Sequence, residues 1–150
     1  MAAEIDETDV KVLEELRGNG RATVREIAKR INLPITTVHN RLKKLVKNKV
    51  IKWFTIELDH EKLGKGMLVL VSAITDHEKL VDSKQGLAWL KKQLHGFHEV
   101  EKIYAVTGSV DLVMLVRVAS VKELDEFLIR KLRSIKGIMN TTTQIVLEEG

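Results

Sequence analysis

The chain has 150 residues, 44% hydrophobic and 31% charged, with one proline and no cysteine; this is a globular composition that leaves no means for a disulfide framework, a thiolate metal site or a cysteine nucleophile. No run of 18 apolar residues predicts a membrane span and no basic, apolar leader stands at Met1, so a cytoplasmic protein that does not engage membranes is expected. The formal net charge of +4 hides a strong asymmetry, because residues 17–52 carry 11 Lys or Arg against the single acid Glu26, a local +10 suited to a polyanion.

Three amphipathic helices are predicted in the first fifty residues. Asp6 offers an N-cap with Asp9 three residues on, followed by Val10, Leu13 and Leu16 at helical spacing and by Gly18 and Gly20 as stops. Thr23 and Glu26 form a capping-box pattern ahead of Val24, Ile27, Ala28 and Ile31, which fall on one face. The third helix opens near Pro34, whose fixed φ and missing N–H suit a first turn, and its apolar stripe is Val38, Leu42, Leu45 and Val46. Opposite that stripe lie Thr36, Asn40, Lys43 and Lys47, with Thr37 and Lys44 on one shoulder and His39 and Arg41 at the flanks. Short polar groups at the tip and cations along the shaft are what a helix entering a DNA major groove requires. The connection from 31 to 34 has the length of a helix-turn-helix turn. A three-helix bundle with a merely solvated basic face is the plain alternative; against it, no acid lies between Leu33 and Phe54 to relieve the repulsion among Lys43, Lys44, Lys47 and Lys49.

Val50, Ile51, Trp53, Phe54, Ile56 and Leu58 then read as an extended segment, a wing continuing into a linker, which ends at Leu63 to Gly66. The predicted division is a DNA-binding domain over 1–52, a linker over 53–64 and a second domain over 65–150. In the second domain, strands are predicted at Met67 to Ile74, Glu99 to Thr107, Asp111 to Val118 and Thr141 to Leu147. Helices are predicted at Gln85 to His95 and from a further capping-box pattern, Ser120 with Glu123, through Ile135. The order is βαββαβ, so the fold class is α+β: a winged helix-turn-helix followed by a ferredoxin-like domain. Met67 to Val71 and Leu112 to Val116 are apolar without alternation, which predicts burial on both sheet faces and hence a homodimer packed sheet against sheet. Such a dimer would present two recognition helices to half-sites spaced by about 34 Å or a multiple of it.

Chemistry-bearing patterns are few. His95 and His98 have a spacing found in metal sites, yet no third ligand is evident and no metal is expected; His60 and His77 read as polar loop residues. No catalytic constellation is present, so an enzyme is not expected. Thr107 to Asp111 offers a glycine turn with one carboxylate, and Thr141, Thr142 and Thr143 supply hydroxyls on the last strand. Together they could hold the ammonium and carboxylate of an amino acid, or be an ordinary hairpin turn and ordinary strand threonines.

Several stretches carry a resemblance: Ile5 to Asp9, Arg21 with Arg25 to Ala28, Leu33 to Ile51, Leu63-Gly64, Val106 to Gly108 with Asp111, and Thr141 to Leu147. In this order and spacing the chain resembles the Lrp/AsnC, or feast/famine, transcription regulators of bacteria and archaea. The resemblance implies double-stranded DNA as partner, a C-terminal effector and assembly domain, dimers through the sheets and often octamers. No cofactor is implied beyond an amino-acid effector. Carried over by position, the DNA-reading residues are Thr36, Thr37, His39, Asn40, Arg41 and Lys44, and the effector residues are Gly108, Asp111, Thr141 and Thr143. Pro34 stands where the family commonly has a serine cap, and Lys49 where it commonly has a glycine. An architectural DNA-wrapping protein and an amino-acid-binding metabolic module are the two alternative functions.

Overall fold

The computed structural model describes residues 4–76, 78 and 86–149; His77 and the predicted helix start at Gln85 lie outside them. The chain divides into two compact units, 1–58 and 59–150.

In the first unit, α1 (Glu7–Gly18), α2 (Val24–Arg30) and α3 (Ile35–Lys47) pack around Val12, Ile27, Ala28, Val38 and Leu45, all buried. Each fully buried aliphatic side chain here contributes on the order of 1.5–3 kcal/mol. The expected Thr23–Glu26 capping box is present, and the expected Asp6 cap forms one as well with Asp9. The turn from α2 to α3 is set by Asn32, which takes φ +52° and lets the Leu33 N–H reach back 3.0 Å to the Ala28 carbonyl. Asparagine tolerates that left-handed conformation. The same closure ends α3. Lys49 at φ +56° lets its own N–H reach the Val46 carbonyl (3.0 Å) and the Val50 N–H reach that of Leu45 (2.9 Å). A lysine therefore occupies a position where glycine would be unstrained.

Residues 52–59 belong to no ladder, and Trp53, Phe54, Ile56 and Leu58 are exposed, Trp53 at 73%. The predicted wing thus has no strand partner among the described residues.

The second unit has the expected βαββαβ order. It comprises β1 (Met67–Thr75), α4 (Gly86–His95), β2 (Val100–Ala105), β3 (Leu112–Val118), α5 (Val121–Glu126) and β4 (Ile138–Ile145). The sheet is antiparallel with strand order β2-β3-β1-β4. Val69, Val71, Ala73, Met114 and Val116 pack with Leu90 and Leu94 of α4 and with Leu124, Phe127 and Leu132 in one core. The helix expected to run from Ser120 to Ile135 changes pitch after Glu126. Phe127–Lys131 forms a π-helical turn and Leu132–Ser134 a 3-10 turn. At its start Ser120 Oγ accepts the Glu123 N–H, but the Glu123 carboxylate takes the Ala119 N–H at 2.7 Å, one residue further out than a capping box would. The last strand begins at Ile138, three residues before the expected Thr141.

The opposite sheet face carries Leu68, Leu70, Val113 and Leu115, each half-buried. Arg117, next on that face, is buried and donates to Glu101 (3.2 Å) and to both Glu149 oxygens (2.6 and 3.2 Å). Glu149 first, then Glu101, raises the Arg117 pKa against the opposing pull of burial, so the guanidinium stays charged. No helix among the described residues is long and apolar enough to cross a membrane.

Candidate functional site

Helix α3 buries Val38 and Leu45 and leaves Thr36, His39, Asn40, Lys43 and Lys47 exposed, with Thr37 half-buried. The first turn holds no acid, and its Pro34 cap makes no side-chain hydrogen bond. The first-turn N–H groups and the positive end of the helix dipole are thus left to an outside acceptor such as a phosphate. Among the described residues no carboxylate pairs with Lys43 or Lys47, so both are available to a polyanion.

Two of the residues carried over as DNA-reading have partners within the unit. Arg41 pairs with Asp6 and, at 3.5 Å, with Asp9; Lys44 donates to Asp9 Oδ2 at 3.1 Å and to the Glu4 carbonyl at 2.9 Å. Asp9 is completely buried. Its carboxylate also accepts the Asp6 N–H, so one acid caps α1 and anchors α3. The Asp9 N–H, and after it Arg41 and Lys44, hold the Asp6 carboxyl below its ordinary value despite some desolvation. Arg30 is likewise held by Glu15 at 2.9 Å. Sequence reasoning found Asp6 and Asp9 as caps but missed them as partners of α3, because the pairs span 32 to 35 positions and leave no local pattern.

The second cluster lies at one end of the sheet. The β2–β3 turn is closed by the Val106 N–H donating to the Asp111 carbonyl (2.9 Å). Gly108 within it takes φ +125°, a conformation that side-chain-bearing residues avoid, with open space where a Cβ would stand. Asp111 Oδ2 accepts the Thr75 N–H (2.7 Å) and the Thr75 hydroxyl (2.9 Å), and the Asp111 N–H donates to the Ala73 carbonyl (3.0 Å). Thr75, buried and unforeseen from the sequence, is therefore the direct partner of the predicted effector carboxylate. On the far side of β1, Thr141 pairs with Ala73 and Thr143 with Val71, which puts both half-buried threonines on the helix-bearing face. The register thus brings Asp111, Thr141 and Thr143 to strands flanking the same stretch of β1.

Comparison with known proteins finds relatives for both parts of the chain. A family model described as winged helix-turn-helix DNA-binding matches residues 5–52, and one described as Lrp/AsnC ligand binding domain matches residues 77–149. The chain is 36% identical over 149 residues to HTH-type transcriptional regulator FL11 of Pyrococcus horikoshii, covering 99% of this chain and 93% of that one. It is 33% identical over 145 residues to an uncharacterized HTH-type transcriptional regulator of Pyrococcus furiosus, covering 97% and 94%. Among solved structures it resembles transcriptional regulator NMB0573 of Neisseria meningitidis, solved as an L-Met complex (TM-score 0.88, 25% identity, 97% of this chain and 92% of that one). It also resembles E. coli AsnC (TM-score 0.82, 29% identity, 97% and 94%).

Proposed function

The chain belongs to the Lrp/AsnC family of transcriptional regulators, and from that premise we propose how this DNA-binding protein, a regulator and not an enzyme, recognises its site and its signal. Helix α3 reads the major groove. Thr36, Thr37, His39 and Asn40 reach base edges, Lys43 and Lys47 take phosphates, and Arg41 and Lys44 orient the helix through Asp6 and Asp9. The observation that carries this reading is the exposed face of α3, where two unpaired lysines follow a tip of short polar side chains. The protein works as a homodimer joined through the sheet face of Leu68, Leu70, Val113 and Leu115, with assembly to an octamer, and in the cytoplasm, where a prokaryotic regulator meets its DNA. Leaving that apolar face half-exposed in water would be unfavourable by about 25 cal/mol per Å².

The effector is an amino acid held near the Gly108 turn by Asp111, Thr141 and Thr143. The L-Met complex of the Neisseria regulator makes methionine the first candidate. Fluorescence-anisotropy titration of genomic fragments at two salt concentrations, with and without each of the twenty amino acids, tests both parts. Preference for some fragments over random DNA supports sequence-specific regulation, whereas a ratio near one would favour architectural wrapping. Because Asp111 holds Thr75, Asp111→Ala would damage the sheet whether or not an effector binds. The sharper probes are Thr141→Val and Thr143→Val, which remove only hydroxyls. A response to one amino acid that both variants blunt supports the effector site; no response across the panel sinks it and leaves the DNA reading intact.

A further inference from the structure

Outside the two sites above, the connection from α4 to β2 meets the first turn of α5 at three ligand-type side chains. His98, Glu99 and Glu123 each offer one donor atom, all within 4.8 Å of one another. Glu99 is the unusual member. Only 2% of its side-chain surface is exposed; Oε1 is held by the Lys131 ammonium, and Oε2 is buried with no hydrogen-bond donor. A buried carboxylate oxygen without a donor carries a desolvation penalty that structures ordinarily remove. Oε2 instead faces His98 Nδ1 at 3.3 Å, without forming a hydrogen bond.

Glu123 is built the same way. Its Oε2 is fixed by the Ala119 N–H at 2.7 Å, while Oε1 lies 3.9 Å from His98 Nε2. Each carboxylate is thus oriented by a donor on one oxygen and turns the other toward the His98 ring, Glu99 toward Nδ1 and Glu123 toward Nε2, so a turn of this exposed ring brings one nitrogen to both oxygens, each held by its outer partner as metal ligands are. Lys131 offsets one of the two carboxylate charges, so with a neutral imidazole the cluster retains a net charge of about −1 for an incoming cation.

We propose that His98, Glu99 and Glu123 bind a divalent transition-metal ion, zinc or one of similar ligand preference, that ties the α4–β2 connection to the start of α5. One imidazole nitrogen and two carboxylate oxygens, with a fourth position left to water, suit such an ion better than magnesium, which keeps near-octahedral oxygen ligands. Bonds of about 2.0–2.1 Å in a tetrahedral site separate ligand atoms by about 3.4 Å, close to the spacing already present between Glu99 Oε2 and His98. The His98 side chain is 63% exposed, which gives the ion an entry path and lets the ring turn. The π-helical turn at Phe127–Lys131 follows Glu123 in the chain and ends on the residue that holds Glu99.

The test uses the full-length, metal-stripped protein without DNA, titrated with zinc chloride by calorimetry and with cobalt chloride by visible absorption. The expected result is one ion per chain, with affinity at least about tenfold weaker in His98→Gln and in Glu123→Gln and unchanged in His60→Gln. Zinc should raise Tm in the parent protein and leave the Tm of His98→Gln in place. His98→Gln alters an exposed side chain and Glu123→Gln keeps an oxygen for the Ala119 N–H, so Tm measured without metal separates lost ligation from lost folding. Binding that survives both substitutions, or the absence of stoichiometric binding in the parent protein, would overturn the assignment.

Discussion

Replacing Asp9 with asparagine is expected to unfasten α3 from α1 and to cost about 3 kcal/mol. The substitution keeps the volume of a fully buried side chain but removes the charge that meets Lys44 through Oδ2 (3.1 Å) and Arg41 through Oδ1 (3.5 Å), and it turns an amide donor against one of these two cations. Lys44 and Arg41 keep 37% and 31% of their side-chain surface in water, so solvent screens both pairs and each contributes no more than about 1 kcal/mol. A hydrogen bond to a charged group, here from the Asp6 N–H at 3.3 Å, adds about 1.5 kcal/mol. For a chain of this size the sum corresponds to a fall in Tm of about 6–12 °C. Urea denaturation followed by far-UV circular dichroism measures the loss. The double-mutant cycle of Asp9→Asn with Lys44→Ala should return a coupling of about 0.5–1 kcal/mol. A loss under about 0.5 kcal/mol, or no coupling, would refute the idea that Asp9 anchors the recognition helix.

Lys43→Ala and Lys47→Ala should do the reverse. Stability stays within about 0.5 kcal/mol, while affinity falls for every DNA sequence and the slope of log K against log salt weakens by about 0.9 for each phosphate no longer neutralised; unchanged slopes would remove these lysines from the interface. Asn40→Ala should instead cost about 1–3 kcal/mol on the preferred site and little on random DNA, read by competition titration. The Asp6 carboxyl is lowered by the Asp9 N–H and the Glu26 carboxyl by the Thr23 N–H. Their stabilisation is therefore complete above the ordinary values of 3.8 and 4.5 and is lost as pH falls through the lower folded values. Thermal scans should show a flat Tm from neutrality to about pH 5 and a decline at more acid pH, less steep in Glu26→Gln; equal acid sensitivity in that variant would contradict the sign. Lys49→Gly should relieve a left-handed lysine and raise stability by up to about 1 kcal/mol, net of the greater chain entropy of glycine; a lower Tm would show that the Lys49 side chain makes a contribution larger than the strain.

What could be read in advance follows from the range of the interactions involved. Caps act over three residues, so Asp6, Thr23 and Ser120 marked helix starts that the structure places at Glu7, Val24 and Val121. Short runs of apolar and β-branched residues likewise located β1 and β3 within a residue or two. The local signal faded where tertiary contacts decide. Nothing in the apolar spacing of Leu124, Phe127, Leu128 and Leu132 distinguishes an α-helix from one that widens after Glu126. The strand start at Ile138 depends on pairing with Thr75, and the register shifts there. At the candidate sites, the exposed face of α3 followed from periodicity alone. The partners of Arg41, Lys44 and Asp111 did not, because each lies more than thirty positions away.

Those long-range partners also give the charge asymmetry its use. Residues 1–16 contain six acids and one base, so an acidic segment precedes the basic one. Had the acids stayed in solvent, every cation of residues 17–52 would compete equally for a polyanion, and the recognition helix would be held only by its apolar stripe. In the folded unit Asp6 and Asp9 engage Arg41 and Lys44, and Glu15 engages Arg30. The acids thereby separate the basic residues into those that brace α3 and those, Lys43 and Lys47 among them, that keep their charge for an outside partner. Bracing also limits rotation of α3 about its own axis. A rotation of one residue, about 100°, would bury Lys43 or expose Leu42, so fixing Arg41 and Lys44 determines which face of α3 is presented to solvent. In the proposed DNA reading, affinity rests on the unpaired lysines and register on the paired ones, so substitutions one position apart, Lys43→Ala and Lys44→Ala, should separate salt dependence from stability.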